Sequence, residues 1–193
     1  LRGIPCFELT TEVEKKKEII SSRTFGAPVF DIQSLRESVA SYVSLASEKL
    51  RKQNSVCSVV EVRIRTNPFK DVEQYFAVDG YKFQSDTADT SKIIKYAWQV
   101  LDTLYKQGYE YKKAMVQLSG IRDRENTQLS LFESADSERT ERLMKAIDLI
   151  NAKEGPHTVR SLGCGVNNKS WKMRQSQKSQ RYVSSWNEIP RIN

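Results

Sequence analysis

The stretch Val56-Cys57-Ser58-Val59-Val60-Glu61-Val62-Arg63-Ile64-Arg65-Thr66 decides the fold. Along its second half, apolar and charged side chains alternate: Val60, Val62 and Ile64 against Glu61, Arg63 and Arg65. Successive side chains of a strand point to opposite faces of a sheet. The pattern therefore predicts a strand from Val56 to Thr66 with one apolar face and one charged face, ending before Pro68.

The residues before this strand predict another strand and a helix. Lys17 to Phe25 has the composition of a strand and is followed by the breakers Gly26 and Pro28. Ser34 with Glu37 has the spacing of a capping box. Apolar residues then recur every three or four positions, which predicts an amphipathic helix from about Leu35 to Lys52.

The residues after it predict the other half of the domain. Tyr75 to Phe83 is an aromatic strand in which Asp79-Gly80 suggests a bulge or a tight turn. Asp89 is a suitable cap for a second helix, with Gly108 expected at its end. Lys113 to Ser119 alternates again and predicts a fourth strand.

The predicted order β-α-β-β-α-β indicates an α+β fold, a four-stranded sheet with two helices on one face. Arg63, Arg65 and Lys113 are expected on the open face, where a row of cations suits the phosphate backbone of a nucleic acid. The alternative is a face that is merely solvated.

The C-terminal part is predicted to be a small helical and irregular region. A helix is expected from Ser137 to Ala152, with Leu143, Ile147 and Ile150 facing inward and Gly155 after it. Residues 156–193 contain seven Lys or Arg and one acid, Glu188. This basic tail either attracts a polyanion or serves only solubility.

Composition narrows the class of protein. The 193 residues are 38% hydrophobic with a net charge of +7, and no apolar run approaches the length of a membrane helix. Three widely spaced cysteines argue against a disulfide framework and for a reducing, cytoplasmic location. Because the chain begins at Leu1, we expect it to be a piece of a longer protein.

A short apolar segment, Gln128-Leu129-Ser130-Leu131-Phe132, lies between two polar charged stretches. It has neither the length of a strand nor the period of a helix around it. Exposed apolar anchors of this kind usually bind a partner protein. The segment is therefore a candidate docking peptide.

Several segments, in one order along the chain, resemble the UmuC family of lesion-bypass DNA polymerases, part of the Y-family. They are Arg2-Gly3-Ile4-Pro5-Cys6, Ser22-Arg23-Thr24-Phe25-Gly26, residues 46–51 (ASEKLR), Thr66-Asn67-Pro68-Phe69, residues 87–90 (TADT), residues 111–114 (YKKA), residues 128–132 (QLSLF), residues 150–155 (INAKEG), Trp171-Lys172-Met173-Arg174 and Arg181-Tyr182.

The resemblance implies a division into four parts: the end of the thumb at 1–16, a DNA-gripping little finger domain at 17–121, a linker at 122–136, and a basic UmuC-type region at 137–193. In the linker, Gln128, Leu129, Leu131 and Phe132 would bind the sliding clamp. The family further implies a bacterial, nucleoid-associated protein of DNA repair and the SOS response, with primer-template duplex as ligand and a processed UmuD dimer and RecA as possible partners.

The expected DNA contacts are the cations Arg23, Arg63, Arg65, Lys113, Lys172 and Arg174. About six phosphate contacts would give a slope near −5 when the logarithm of affinity is plotted against the logarithm of salt concentration.

No catalytic residue or metal site is predicted on this chain. His157 and Cys164 lack the further ligands that a zinc site needs, and no acidic pair can be placed to hold the Mg²⁺ ions of the parent polymerase. No cofactor is therefore expected on this piece. Two other functions stay open: an RNA-binding module of the RRM type, and a clamp-binding adaptor that does not bind DNA.

Overall fold

The computed structural model describes residues 14–126, 138–166, 171–173, 179–181 and 186–189. The long elements are β1 (Ile19–Val29), α1 (Ile32–Lys52), β2 (Ser55–Arg65), β3 (Phe76–Thr87), α2 (Thr90–Leu104), β4 (Tyr111–Ser119) and α3 (Glu138–Glu154). A two-residue strand, β5 (Arg122–Asp123), and 3-10 turns at Arg124–Asn126, Leu162–Cys164 and Trp186–Glu188 complete the description.

The long strands form one antiparallel sheet in the order β1-β4-β2-β3, and β5 pairs with the start of β2. β2 is therefore a central strand: Arg65 lies opposite Lys113 of β4 on one side and opposite Phe76 of β3 on the other. The α+β architecture with the predicted element order is confirmed.

One face of the sheet carries the hydrophobic core. Val60, Val62 and Ile64 of β2 are completely buried, as predicted from their spacing. Ala114, Val116 and Leu118 of β4 lie on the same face and are equally buried beneath α1 and α2. Burying each of these larger aliphatic side chains contributes about 1.5–3 kcal/mol. This free energy determines which face of β2 and β4 is turned toward the helices.

Helix boundaries differ in part from the prediction. α1 begins at Ile32, and its cap is Asp31, whose side chain accepts a hydrogen bond from Ser34 N at 2.6 Å. The capping box at Ser34 is therefore wrong: an acceptor three residues earlier already satisfies that amide. Asp89 caps α2 as predicted, accepting from Ser91 N at 2.9 Å.

Two glycines have roles other than those predicted. α2 ends at Leu104, and Gly108 lies in the following turn with a φ of +97°, so it is not the residue that ends the helix. Gly80 does not interrupt β3: it pairs with Glu61 in regular register. The irregularity in this pair of strands lies instead between Cys57 and Val59.

α3 turns a different face from the predicted one toward the sheet domain. Met144 is buried, whereas Leu143 is 55% exposed and Ile150 is 41% exposed, so the expected inward positions of these two residues are wrong. Asp148, one turn after Met144, binds Arg51 of α1 with a Nε–Oδ2 distance of 2.7 Å. Glu141 of α3 also pairs with Arg124 at 2.7 Å, so Met144, Asp148 and Glu141 lie on the face of α3 that is turned toward the sheet domain.

Candidate nucleic-acid interface

The sheet face opposite the two helices is built from side chains in transverse rows. The row nearest the β2–β3 loop contains Thr24, Lys113, Arg65 and Phe76. The next row contains Ser22, Met115, Arg63 and Val78. Paired residues of an antiparallel sheet point to the same side. Three of the predicted cations, Arg63, Arg65 and Lys113, therefore lie together on this face.

The three cations differ in how much of their charge is already balanced. Arg63 Nε donates to Glu61 Oε1, and its Nη2 donates to Gln117 Oε1 at 3.1 Å. No ion pair of Arg65 or Lys113 is present among the residues that the structure describes. Arg65 and Lys113 face each other across the β2–β4 pair and together give this end of the face a positive charge.

Sequence reasoning missed the apolar half of this face. Phe76, Val78 and Ile20 occupy open-face positions and are 64%, 44% and 48% exposed. Lys82 of β3, opposite Val59, adds an exposed cation. The predicted strand from Tyr75 to Phe83 contains Phe76, Val78 and Lys82. Asp79-Gly80 resembles an interruption of that strand, so the sequence does not show which of its side chains share a face.

The structure separates Arg23 from the other sheet cations. Arg23 pairs with Ala114, a core residue, and so points to the helix side of the sheet. Lys172 also lies on the helix side, next to Trp171, whose ring is 6.1 Å from that of Tyr42 in α1. Arg174 and the predicted clamp peptide, Gln128, Leu129, Leu131 and Phe132, lie outside the described residues.

Arg23 and Lys172 instead line a cavity of about 690 Å³ between α1, α3 and the segment that follows α3. Its floor includes Tyr42 and Met144, which are buried. The Tyr42 hydroxyl has no hydrogen-bond partner within the described part of the chain. Burial raises the pKa of the Tyr42 phenol strongly, and the nearby Arg23 charge lowers it by a smaller amount.

Within the described ranges, no three His, Cys, Asp or Glu side chains are close enough together to hold a metal ion. Cys57 and Cys164 are buried and are not in a disulfide. None of the helices in these described ranges has the length and apolar character needed to cross a membrane.

The geometry defines an α+β domain whose sheet is covered by helices on one face and presents cations and apolar side chains on the other. The chain belongs to the impB/mucB/samB family: the model of that family's C-terminal domain matches residues 16–131. A second model, a domain of unknown function (DUF4113), matches residues 141–192.

Named relatives agree with this membership. The chain is 34% identical to Protein UmuC of Salmonella typhimurium strain LT2, over 100% of this chain and 46% of the relative. It is 33% identical to Protein MucB of Escherichia coli over 98% of this chain and 45% of the relative. DNA polymerase IV of Clostridium acetobutylicum is 25% identical over 81% of this chain and 38% of that protein. The chain thus spans about half the length of the UmuC and MucB relatives.

Two solved structures show a likeness of fold. One is a complex of a beta-clamp processivity factor and the little finger domain of PolIV, with 11% identity, a TM-score of 0.43, and coverage of 60% of this chain and 99% of that one. The other is a post-insertion binary complex of Dbh DNA polymerase, with 15% identity and a TM-score of 0.47. The match covers 55% of this chain and 29% of the polymerase chain.

Proposed function

We propose that this chain is the DNA-gripping and clamp-docking part of a Y-family translesion DNA polymerase, and that its open sheet face binds the phosphate backbone of primer-template duplex. The observation that carries the proposal is the row formed by Arg65 and Lys113, with Arg63 beside it, on an uncovered sheet face. Cations fixed on a rigid sheet bind phosphates without reading sequence, as a polymerase requires of its template grip.

The structure changes the expected strength of this interaction. Of the six predicted cations, Arg23 and Lys172 lie on the helix side and Arg174 lies outside the described residues, which leaves Arg63, Arg65 and Lys113 on the open face. Three phosphate contacts give a slope of about −3 for the logarithm of affinity against the logarithm of salt concentration, rather than the slope near −5 expected for about six contacts.

The test is a salt titration of duplex binding by fluorescence anisotropy. Replacing both Arg65 and Lys113 by Ala should weaken binding and bring the slope to about −1. The matched control replaces Lys49 and Lys95, which are exposed on α1 and α2, and so removes the same charge from the helix side. A variant and a control that lose affinity equally would show that net charge, not this face, binds DNA.

Clamp docking is proposed on the pattern of residues 128–132. Gln128 would occupy a polar part of the clamp groove, while Leu131 and Phe132 fill its apolar pocket. Replacing Leu131 and Phe132 by Ala should cost about 2 kcal/mol or more of clamp affinity if these residues are hot spots. The control replaces Leu149 and Leu162, which are 70% and 82% exposed. Clamp affinity that stays at the wild-type value in the first variant would refute this assignment.

The RRM alternative loses support from the arrangement of strands. The central strands β2 and β4 present Arg63, Arg65, Lys113 and Met115 to the open face. RRM modules stack bases on aromatic side chains of their RNP motifs. The adaptor alternative is tested by the salt titration, since it predicts clamp binding without binding to DNA.

The whole parent protein is proposed to synthesise DNA across lesions, with its Mg²⁺-dependent chemistry on segments other than this one. A role in the SOS response, a cytoplasmic location and contacts with a processed UmuD dimer or RecA stay predictions that follow from the family resemblance. Expression of the chain with its natural upstream sequence, followed by a primer-extension assay, tests the catalytic part of this proposal.

A further inference from the structure

The loop between β2 and β3 presents an aromatic side chain to solvent. Phe69 is 95% exposed, more than any other large hydrophobic residue in the described part of the chain. Isolated exposed apolar side chains are common and by themselves indicate nothing. The way in which this loop is held is what distinguishes Phe69.

A single glutamine side chain organises the loop from inside. Gln74 Nε2, with two hydrogens to donate, lies within hydrogen-bond distance of three backbone carbonyl oxygens, those of Asn67, Lys70 and Val72, at 3.0, 2.9 and 3.0 Å. Its Oε1 accepts from Thr66 Oγ1 at 2.9 Å. The Asn67 side chain also accepts from the backbone N–H of Phe69 at 3.2 Å. The backbone on both sides of Phe69 is thereby fixed.

A second set of contacts ties the loop to the segment between α2 and β4. Lys70 Nζ lies 3.2 Å from Glu110 Oε2, and Tyr109 donates a hydrogen bond to Glu73 Oε1 at 2.8 Å. The rings of Tyr75 and Tyr109 are 4.7 Å apart. Together these contacts hold the Phe69 backbone in place before any partner binds, which lowers the entropy cost of using it as an anchor.

The location of the loop indicates the kind of partner. The loop begins directly after Arg65, and Thr66 N donates to the Tyr75 carbonyl at 3.0 Å, so Phe69 lies in the loop that extends from the end of the row containing Arg65, Lys113 and Phe76. The loop itself has little net attraction for phosphate, because Lys70 is paired with Glu110 and the exposed Asp71 adds a negative charge. An uncharged aromatic contact beside a phosphate-binding row suits a base rather than the backbone.

We propose that Phe69 stacks on an unpaired nucleobase of the nucleic acid held on the open face. The inference rests on the proposed binding of DNA to that face. Stacking of a base on an aromatic side chain changes affinity by about 5-fold to 150-fold and is tolerant of sequence. Phe69 would then recognise the junction where duplex gives way to single strand, whereas Arg65 and Lys113 hold the duplex.

The experiment compares two DNA molecules by fluorescence anisotropy: a fully paired duplex, and the same duplex with a single-stranded extension of the template. Phe69→Ala should lose about 5-fold or more in affinity for the extended DNA, with unchanged affinity for the duplex and an unchanged salt slope. Phe69→Trp should retain the preference for extended DNA. Its additional tryptophan fluorescence should be quenched by that DNA and not by the duplex.

The thermal midpoint of Phe69→Ala should equal that of the wild type, because the side chain is almost fully exposed. Leu162→Ala, at an 82% exposed position on another segment, is the matched control and should change neither affinity. If Phe69→Ala loses the same affinity for the duplex as for the extended DNA, the stacking proposal is overturned. Unchanged affinities of Phe69→Ala for both DNA molecules would also overturn it. Failure of the wild type to bind either DNA would refute the proposed function as well.

Discussion

The most buried ion pair between α3 and the sheet domain joins Arg51 to Asp148, and its removal should loosen that helix. Arg51 of α1 donates to Asp148 of α3 through Nε at 2.7 Å and Nη2 at 2.8 Å. The Arg51 and Asp148 side chains are only 10% and 22% exposed. Arg51 Nη1 also binds the Ala88 carbonyl and Thr90 Oγ1 at the start of α2.

The expected magnitude follows from this geometry. Breaking a buried pair by removing one partner costs about 3–5 kcal/mol, and the partial exposure of Asp148 lowers this to about 2–3 kcal/mol for Asp148→Ala. Arg51→Ala should cost more, because it also removes two hydrogen bonds to α2, at about 1 kcal/mol each. The coupling free energy between the two residues should be about 1–3 kcal/mol.

The assay combines urea unfolding of both single variants and the double variant with amide hydrogen exchange. In Asp148→Ala, exchange protection across α3 should fall by about 30-fold or more, which corresponds to about 2 kcal/mol. Protection of β2 and β4 should fall less, because their core contacts are unchanged. The control is the Arg142–Glu138 pair within α3, which is 78% and 92% exposed and should couple by less than about 0.5 kcal/mol. A coupling for Arg51 and Asp148 as small as that of the control would refute the reasoning.

Three further predictions concern stability. Tyr42→Phe should raise the free energy of unfolding by about 1 kcal/mol, because it removes a buried hydroxyl that lacks a partner among the described residues; unchanged or lower stability in urea unfolding would contradict this. Since burial raises the pKa of Tyr42, the unfolded state loses that proton first, and wild-type stability should fall above about pH 10, less steeply in Tyr42→Phe. Gly120 has a φ of +61°, and an added Cβ would lie 2.0 Å from Ser58 Oγ, so Gly120→Ala should cost about 2 kcal/mol or more. Adding Ser58→Gly to Gly120→Ala should recover part of that loss. If Gly120→Ala is equally stable with and without Ser58→Gly, a clash with the Ser58 side chain is excluded.

The sheet domain could be predicted where local pattern and burial agree. Alternation at Val60, Val62 and Ile64 placed β2 and its charged face correctly, because a strand has only two faces and one of them must be covered. Helices were harder to orient. Neighbouring positions on a helix differ by about 100°. Whether Met144 or Leu143 is buried therefore depends on tertiary contacts of α3, such as the ion pair between Asp148 and Arg51. No local sequence pattern contains that information.

The amino-acid sequence by itself determined the family, the element order and the alternation that puts Arg63 and Arg65 outside the core, because these depend on residue type and on short-range spacing. Only the tertiary structure decided which cations lie together: strand pairing placed Lys113 beside Arg65 and turned Arg23 to the helix side. It also decided that residues 66–75 form a fixed support for Phe69. Contacts between residues far apart in the chain depend on register and packing, which a single sequence does not record.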